Sequence, residues 1–207
     1  MFKNNKILIH KTNGKTVQVH SIKGLTIRFK GENSTVEIYE PYKFGKRFIF
    51  NRSKIRVGGG NSVVIKGTDK IIYSLEVINM GKNCSLKIGS NFFQTGSLSI
   101  DFTNLDNINV EIGDNCMFGQ NVELMLGDHH KILDKDTKEI LNTPAKGIKI
   151  GDKVWVARNV KIMKETTISN NTVVATGSIV TKSFDKEYTI IGGAPAKIIK
   201  ENVIWEK

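Results

Sequence analysis

The residues best suited to proton chemistry in this chain are two adjacent histidines, His129 and His130, preceded by Asp128 and followed by Lys131. Imidazole has a free pKa near 6.5, so its neutral form accepts a proton well at physiological pH, and either ring is a candidate general base. Asp128 is placed to orient an imidazole or to bind an acceptor, although an aspartate also starts turns through its own side chain. The remaining histidines, His10 and His20, lie in an irregular N-terminal region and read as ordinary surface or core residues. A catalytic metal held by three histidines needs rings converging from separate positions, and neighbours in sequence rarely share one ion, so no metal is expected. Cys84 and Cys116 have no metal-type spacing and imply no disulfide framework. Cys116 falls four residues after Ile112, on a position that reads as inward and small, and is expected to be buried packing.

The elements that must hold these residues are written in a repeat. Ile150, Val156, Ile162, Ile168, Val174 and Val180 stand six apart, and each is aliphatic and β-branched. One residue after each comes Gly151, Ala157, Met163, Ser169, Ala175 or Thr181, mostly small. A period of six is neither helical nor a plain alternating strand. It fits a solenoid of short flat strands in which the aliphatic side chain points inward and small neighbours let coils stack closely. Upstream, Ile112-Gly113, Phe118-Gly119 and Leu124 keep the step, and Ile88-Gly89 and Ile100 are in phase with them, while Asp106 breaks the series. Before residue 88 the chain alternates, as in Thr35-Val36-Glu37-Ile38-Tyr39, which reads as degenerate coils. Lys131 to Gly147 carries no repeat; with Asp134, Lys135, Asp136, Lys138, Glu139 and Pro144 it reads as a loop thrust out of the solenoid. Residues Ala196 to Trp205 are expected to form a short helix capping the last coil.

Length and charge bound the rest. The 207 residues suit one domain. Its expected parts are degenerate coils over 1–87, regular coils over 88–182 with the loop at 131–147, and a cap over 183–207. No stretch reaches 18 apolar residues, and Met1 to Gly14 lacks a signal-peptide core, so the expected location is cytoplasmic, without membrane insertion. A net charge of +11, from 31 basic and 20 acidic residues, suits an anionic partner. There is no basic run and no nucleic-acid motif, so nucleic acid is not the expected partner.

Three ordered segments carry a resemblance. Ile150-Gly151-Asp152-Lys153-Val154-Trp155-Val156-Ala157-Arg158-Asn159-Val160, then Val174-Ala175-Thr176-Gly177-Ser178-Ile179-Val180-Thr181-Lys182, then Gly192-Gly193-Ala194-Pro195-Ala196-Lys197-Ile198-Ile199-Lys200 resemble successive motifs of the hexapeptide-repeat acyltransferases. The segment Gly127-Asp128-His129-His130-Lys131-Ile132-Leu133-Asp134 is similar to the corresponding stretch of their polysaccharide O-acetyltransferase branch. The resemblance implies an all-β, left-handed parallel β-helix, a homotrimer, and acetyl-CoA as donor. It implies acetyl transfer to a hydroxyl of a bacterial cell-surface glycan, capsule or lipopolysaccharide, and the net charge makes an acidic glycan attractive. It places the base at His130, with His129 where the family often has glycine.

The resemblance also assigns the donor site residue by residue. Trp155, Ala157 and Arg158 match on one coil and Thr176, Thr181 and Lys182 on the next, with Lys197 and Lys200 suited to the nucleotide phosphates. Ala157 replaces the usual glycine and Thr176 the usual alanine, and both also fit the repeat as packing residues. In galactoside acetyltransferase relatives an asparagine two coils before the base helps hold the sugar; Ser97 stands in its place. Two other readings compete. A sugar N-acyltransferase would take an amine of a nucleotide-linked amino sugar. A non-catalytic binding solenoid would have no use for the histidine loop, and stabilisation by acetyl-CoA in a thermal shift would exclude it.

Overall fold

The computed structural model describes residues 3–40, 50–142 and 146–206; Pro144 of the loop lies outside them. The chain winds through three largely parallel sheets in rotation, and from residue 85 to 180 each coil contributes one strand to each face. The first face stacks Lys6–His10, Thr35–Tyr39, Ser62–Ile65, Ser85–Ile88, Asn109–Ile112, Gly147–Ile150 and Thr167–Ile168, with Thr16–Val19 pairing antiparallel at its N-terminal edge. The second stacks Phe93–Gln94, Met117–Phe118, Trp155–Val156, Val173–Val174 and Thr189–Gly193. The third stacks Leu25–Phe29, Ser53–Val57, Leu75–Ile78, Leu98–Asp101, Val122–Met125, Lys161–Met163 and Ile179–Val180. This is a parallel β-helix; before residue 88 its coils contribute strands to the first and third faces, while Phe50–Asn51 and Ile72–Tyr73 pair in a separate two-stranded parallel sheet.

The six-residue period is the length of one face plus one corner. Ile112, Ile150 and Ile168 lie in register on the first face and are fully buried, as are Phe118, Val156 and Val174 on the second and Leu124, Ile162 and Val180 on the third. Cys116 is buried as expected, and Cys84 with it, where burial pushes the thiol pKa up. Where the residue after the aliphatic one is glycine, stacking requires it. A Cβ on Gly113 would collide with Gly151 and the Asp152 carboxylate, and one on Gly151 with Asn170. Corners turn through the left-handed region at Asn91, Asn115, Asn121, Asn159 and Asn171, three residues after the buried position, where asparagine is tolerated. Gly177 takes the equivalent place with φ of 72°.

The corner from the third face back to the first varies widely in length. It spans 164–166 where coils are tight, so Asp152 bonds Asn170 only 18 residues on. One coil earlier it carries residues 126–146, and partners across it are 38 residues apart. In the preceding coil the corresponding separation is 24, and the corner covers 102–108. Asp106, which breaks the repeat, sits on that corner rather than on a face. Its carboxylate accepts a hydrogen bond from the Lys82 amide at 2.7 Å.

The C-terminal helix is not formed; no helix occurs among the described residues. Ala196–Glu201 is instead a strand, folded back antiparallel on Thr189–Gly193 through a turn at Ala194-Pro195, entered from Gly193, where φ is 103°. The second face would otherwise end in unpaired backbone donors and acceptors, and a returning strand satisfies them where a helix would not. The adjacent β-branched pair Ile198-Ile199 favours the same outcome. Beyond it Trp205 is buried and its indole N–H donates to the Lys153 carbonyl at 2.8 Å. With no helix present among the described residues, none is long and apolar enough to cross a membrane.

Replacing Ile150 by alanine removes a fully buried side chain between two stacked neighbours and is expected to destabilise the fold by about 2–5 kcal/mol. Denaturant unfolding checks this; a loss below the range would mean that the coils do not depend on the axial ladder.

Candidate active site

The candidate site is assembled from three successive coils at the long corner. Leu126 is buried, and its amide donates to the Asp101 carbonyl of the coil below at 2.9 Å. Gly127 then lets the chain cross that coil, because a Cβ there would strike Thr103 and Leu105. Asp128, His129 and His130 follow at the mouth of a cavity of about 280 Å³, lined also by Thr103, Leu105 and Lys164.

Asp128 is a structural anchor. Its Oδ2 accepts hydrogen bonds from Lys164 Nζ, one coil above, and from Asn142 Nδ2 at 3.0 Å. The Lys164 ammonium, followed by the Asn142 amide, holds the Asp128 carboxyl below the usual carboxylate range. Asn142 closes the neck of the loop: Nδ2 also donates to the His130 carbonyl at 2.7 Å, and Oδ1 accepts from the Ile132 amide at 2.7 Å. Past the neck the chain forms a small hairpin of its own, with Leu133 bridged to Ile140 and the Asp134 carboxylate capping the amides of Asp136 and Thr137. Ile132, Leu133, Ile140 and Leu141 are all left exposed on it.

The two histidines are held differently. His129 takes a left-handed backbone, φ 45°, and its Nε2 lies 3.4 Å from Asp101 Oδ2. Asp101 is itself fixed, its Oδ1 accepting from Asn79 Nδ2 at 2.9 Å and from the Thr103 amide at 2.8 Å. His130 is exposed, anchored through its backbone by Asn142, and its ring makes no ion pair among the described residues.

The residues matched to the donor site divide between separate edges of one chain. Ala157, Arg158 and Thr176 lie at the corner from the second to the third face, where the Gly177 amide donates to the Arg158 carbonyl at 3.0 Å. Thr181 and Lys182 follow the third face, on the histidine edge, with Lys182 Nζ 5.6 Å from the centre of the Phe184 ring. Trp155 is half-buried on the second face, 6.1 Å ring to ring from Trp205, while Lys197 and Lys200 are exposed on the last strand. Ser97 is not brought to the histidines: it precedes Leu98–Asp101 and donates to Asn121 Oδ1 at 3.2 Å, at the opposite end of that strand from Asp101.

No protein-family model matches the sequence. Among curated proteins the chain is 41% identical over 102 residues to a polysialic acid O-acetyltransferase of Escherichia coli O1:K1. That match covers 49% of this chain and only 33% of the relative's length. A polysialic acid O-acetyltransferase of Neisseria meningitidis is 34% identical over 153 residues, spanning 74% of this chain and 69% of that protein. The chain belongs to the hexapeptide-repeat O-acetyltransferase family. Its backbone overlays the crystal structure of the polysialic acid O-acetyltransferase OatWY with a TM-score of 0.56 at 27% identity, covering all of this chain and 92% of the other. The parallel β-helix therefore takes the left-handed form of the family.

Asp101, Asn142 and Lys164 were invisible to the repeat alone. Asp101 stands one past the buried Ile100, in phase with Met125 and Met163, but its approach to His129 depends on the length of the intervening corner. The Asp128–Lys164 pair has a pH signature. Because the native carboxyl titrates below its unfolded value, the pair adds stability above the unfolded pKa and loses it as pH falls through the native one. The stability difference between wild type and Lys164→Met is expected at neutral pH and should vanish on acidification, followed by urea unfolding across pH. A difference independent of pH would contradict the pairing.

Proposed function

We propose that this protein moves an acetyl group from acetyl-CoA to a hydroxyl of a bacterial surface glycan by direct attack. The observation that carries the proposal is the histidine pair at the mouth of the corner cavity, on the edge that also bears Thr181 and Lys182. The names of the relatives, polysialic acid O-acetyltransferases, support the reaction class and a glycan acceptor. Acetyl-CoA supplies the activated thioester. The acceptor oxygen bonds to the thioester carbonyl carbon, its proton passes to the His130 imidazole, the carbon–sulfur bond breaks, and the proton leaves with the thiol.

His130 suits the role of base because among the described residues its ring has no ion pair to break, and its backbone is pinned by Asn142. A second reading rests on the 3.4 Å approach of Asp101 to His129, since a carboxylate on one imidazole nitrogen stabilises the imidazolium formed when the other takes a proton. Donor binding is assigned to Trp155, Ala157, Arg158, Thr176, Thr181 and Lys182, with Lys197 and Lys200 toward the nucleotide phosphates. These residues occupy different edges of one chain, so a closed groove requires the edge of one subunit to face another edge of its neighbour. The exposed apolar hairpin at 132–141 supports the same arrangement. We infer a homotrimer with three donor sites at its interfaces.

His130→Ala is expected to lower kcat by roughly 10²–10⁴-fold with little change in KM for acetyl-CoA, and His129→Ala to lose much less. Thiol release in the presence of glycan acceptors reads both. An inactive His129→Ala beside an active His130→Ala transfers the base to the Asp101–His129 pair, and normal turnover of both rejects a histidine base. Light scattering should give a trimer; a stable monomer that still binds acetyl-CoA would contradict the interface sites.

A further inference from the structure

The corner beneath the histidines holds a residue in a conformation that its type disfavours. Phe102 to Leu105 form a turn closed by the Leu105 amide on the Phe102 carbonyl at 3.0 Å, with φ of 53° at Thr103 and 59° at Asn104. Positive φ at both central residues is the pattern of a type I′ turn, which glycine, asparagine and aspartate dominate. Asn104 fits that preference and Thr103 does not. A branched Cβ in the left-handed region is crowded by neighbouring backbone, so the conformation persists only where its surroundings impose it. Among the described residues most non-glycine positions with positive φ are asparagine, and Thr103 is the only β-branched one.

What imposes the conformation also holds a histidine. The Thr103 amide donates to Asp101 Oδ1 at 2.8 Å, and Asp101 Oδ2 lies 3.4 Å from His129 Nε2. Thr103 Oγ1 donates to the Phe102 carbonyl at 2.8 Å, which fixes the side-chain rotamer. That side chain is buried and lies directly under the next coil, where a Cβ built on Gly127 would collide with Oγ1. Gly127 opens the segment that carries Asp128, His129 and His130, and Thr103 lines the same cavity. The two coils thus meet here through a stiff branched side chain against a residue that has none.

We propose that Thr103 is a positioning residue: its rigid side chain sets the height at which Gly127 crosses the lower coil, and so places both imidazoles at the cavity mouth. For its effect on rate the inference rests on the acetyltransferase reading. Glycine or asparagine would suit the backbone better. Glycine, however, leaves the crossing segment unsupported, and asparagine offers a planar amide in place of the branched Cβ. A misplacement of about 1 Å at a catalytic group can cost roughly 100-fold in rate, which gives the unfavourable backbone a function.

Thr103→Asn, Thr103→Gly, Thr103→Val and Thr103→Ser separate shape from hydroxyl. Asn115→Thr, at a left-handed corner between the first and second faces, is the control for the backbone cost. T103N should unfold in urea at a midpoint no lower than wild type, and N115T at a lower one. T103N and T103G should lower kcat roughly 10- to 100-fold, with KM for acetyl-CoA within about twofold of wild type. T103V, which keeps the branched shape, should retain most of kcat, and T103S, which keeps only the hydroxyl, should not. In NMR spectra the imidazole resonances of His129 and His130 should shift in T103N and T103G and hold in T103V, while those of His10 and His20 stay fixed throughout. Full kcat in T103G, retention in T103S beside loss in T103V, a T103N midpoint below wild type, or unmoved His129 and His130 resonances would each overturn the positioning role. If wild type releases no thiol with any glycan, the acetyltransferase reading falls, and the resonances still decide whether Thr103 places the histidines.

Discussion

Axial stacking governs this molecule: each inward side chain rests on its counterpart in the next coil at the fixed spacing of hydrogen-bonded strands. A solenoid built this way gains stability from nearest-neighbour contacts repeated along one axis, not from a closed core. Ile112, Ile150 and Ile168 show the constraint, in register and without exposed surface. So do Gly113 and Gly151, which leave no room for a side chain between coils. What the stack cannot accommodate must leave it at a corner. Extra length is therefore found at the corners rather than on a face, and the histidines are on the longest of the described ones.

That placement makes the site a product of several coils. Asp101, the Asp128–His130 segment and Lys164 come from three consecutive turns, and the stack brings them together although up to 63 residues separate them in sequence. Asp128 works as a tie between coils, because Lys164 and Asn142 occupy its carboxylate. The imidazoles beside it remain at the cavity mouth. The same geometry leaves outward-facing residues in straight columns, as Asp101, Met125 and Met163 show on the third face.

The repeat from Ile150 to Val180 was legible because burial on all three faces repeats a single chemical requirement every six residues. Asp106 looked like a defect and is a corner, since the repeat records faces and says nothing of how long a turn lies between them. Asparagine three residues after the buried position, at Asn115, Asn121, Asn159 and Asn171, was a corner signal present in the sequence, explained by its tolerance of positive φ. The Ala196–Trp205 segment was misread as a helix because a local reading does not see the open sheet edge that recruits Ala196–Glu201 as a strand. Asp101 and Lys164 needed the coil lengths of 24 and 38 residues before their neighbours could be known. Ser97, carried over by motif, lands just before the strand that ends at Asp101, beyond its opposite end.

The central claim is that acetyl-CoA approaches the histidine loop along the edge of Thr181 and Lys182. A crystal structure with coenzyme A bound tests it most directly. The account predicts the pantetheine beside Thr181 and Lys182, with its sulfur at the mouth of the cavity formed by Asp128, His129 and His130. Coenzyme A seated on another face, with its sulfur remote from both imidazoles, would contradict it.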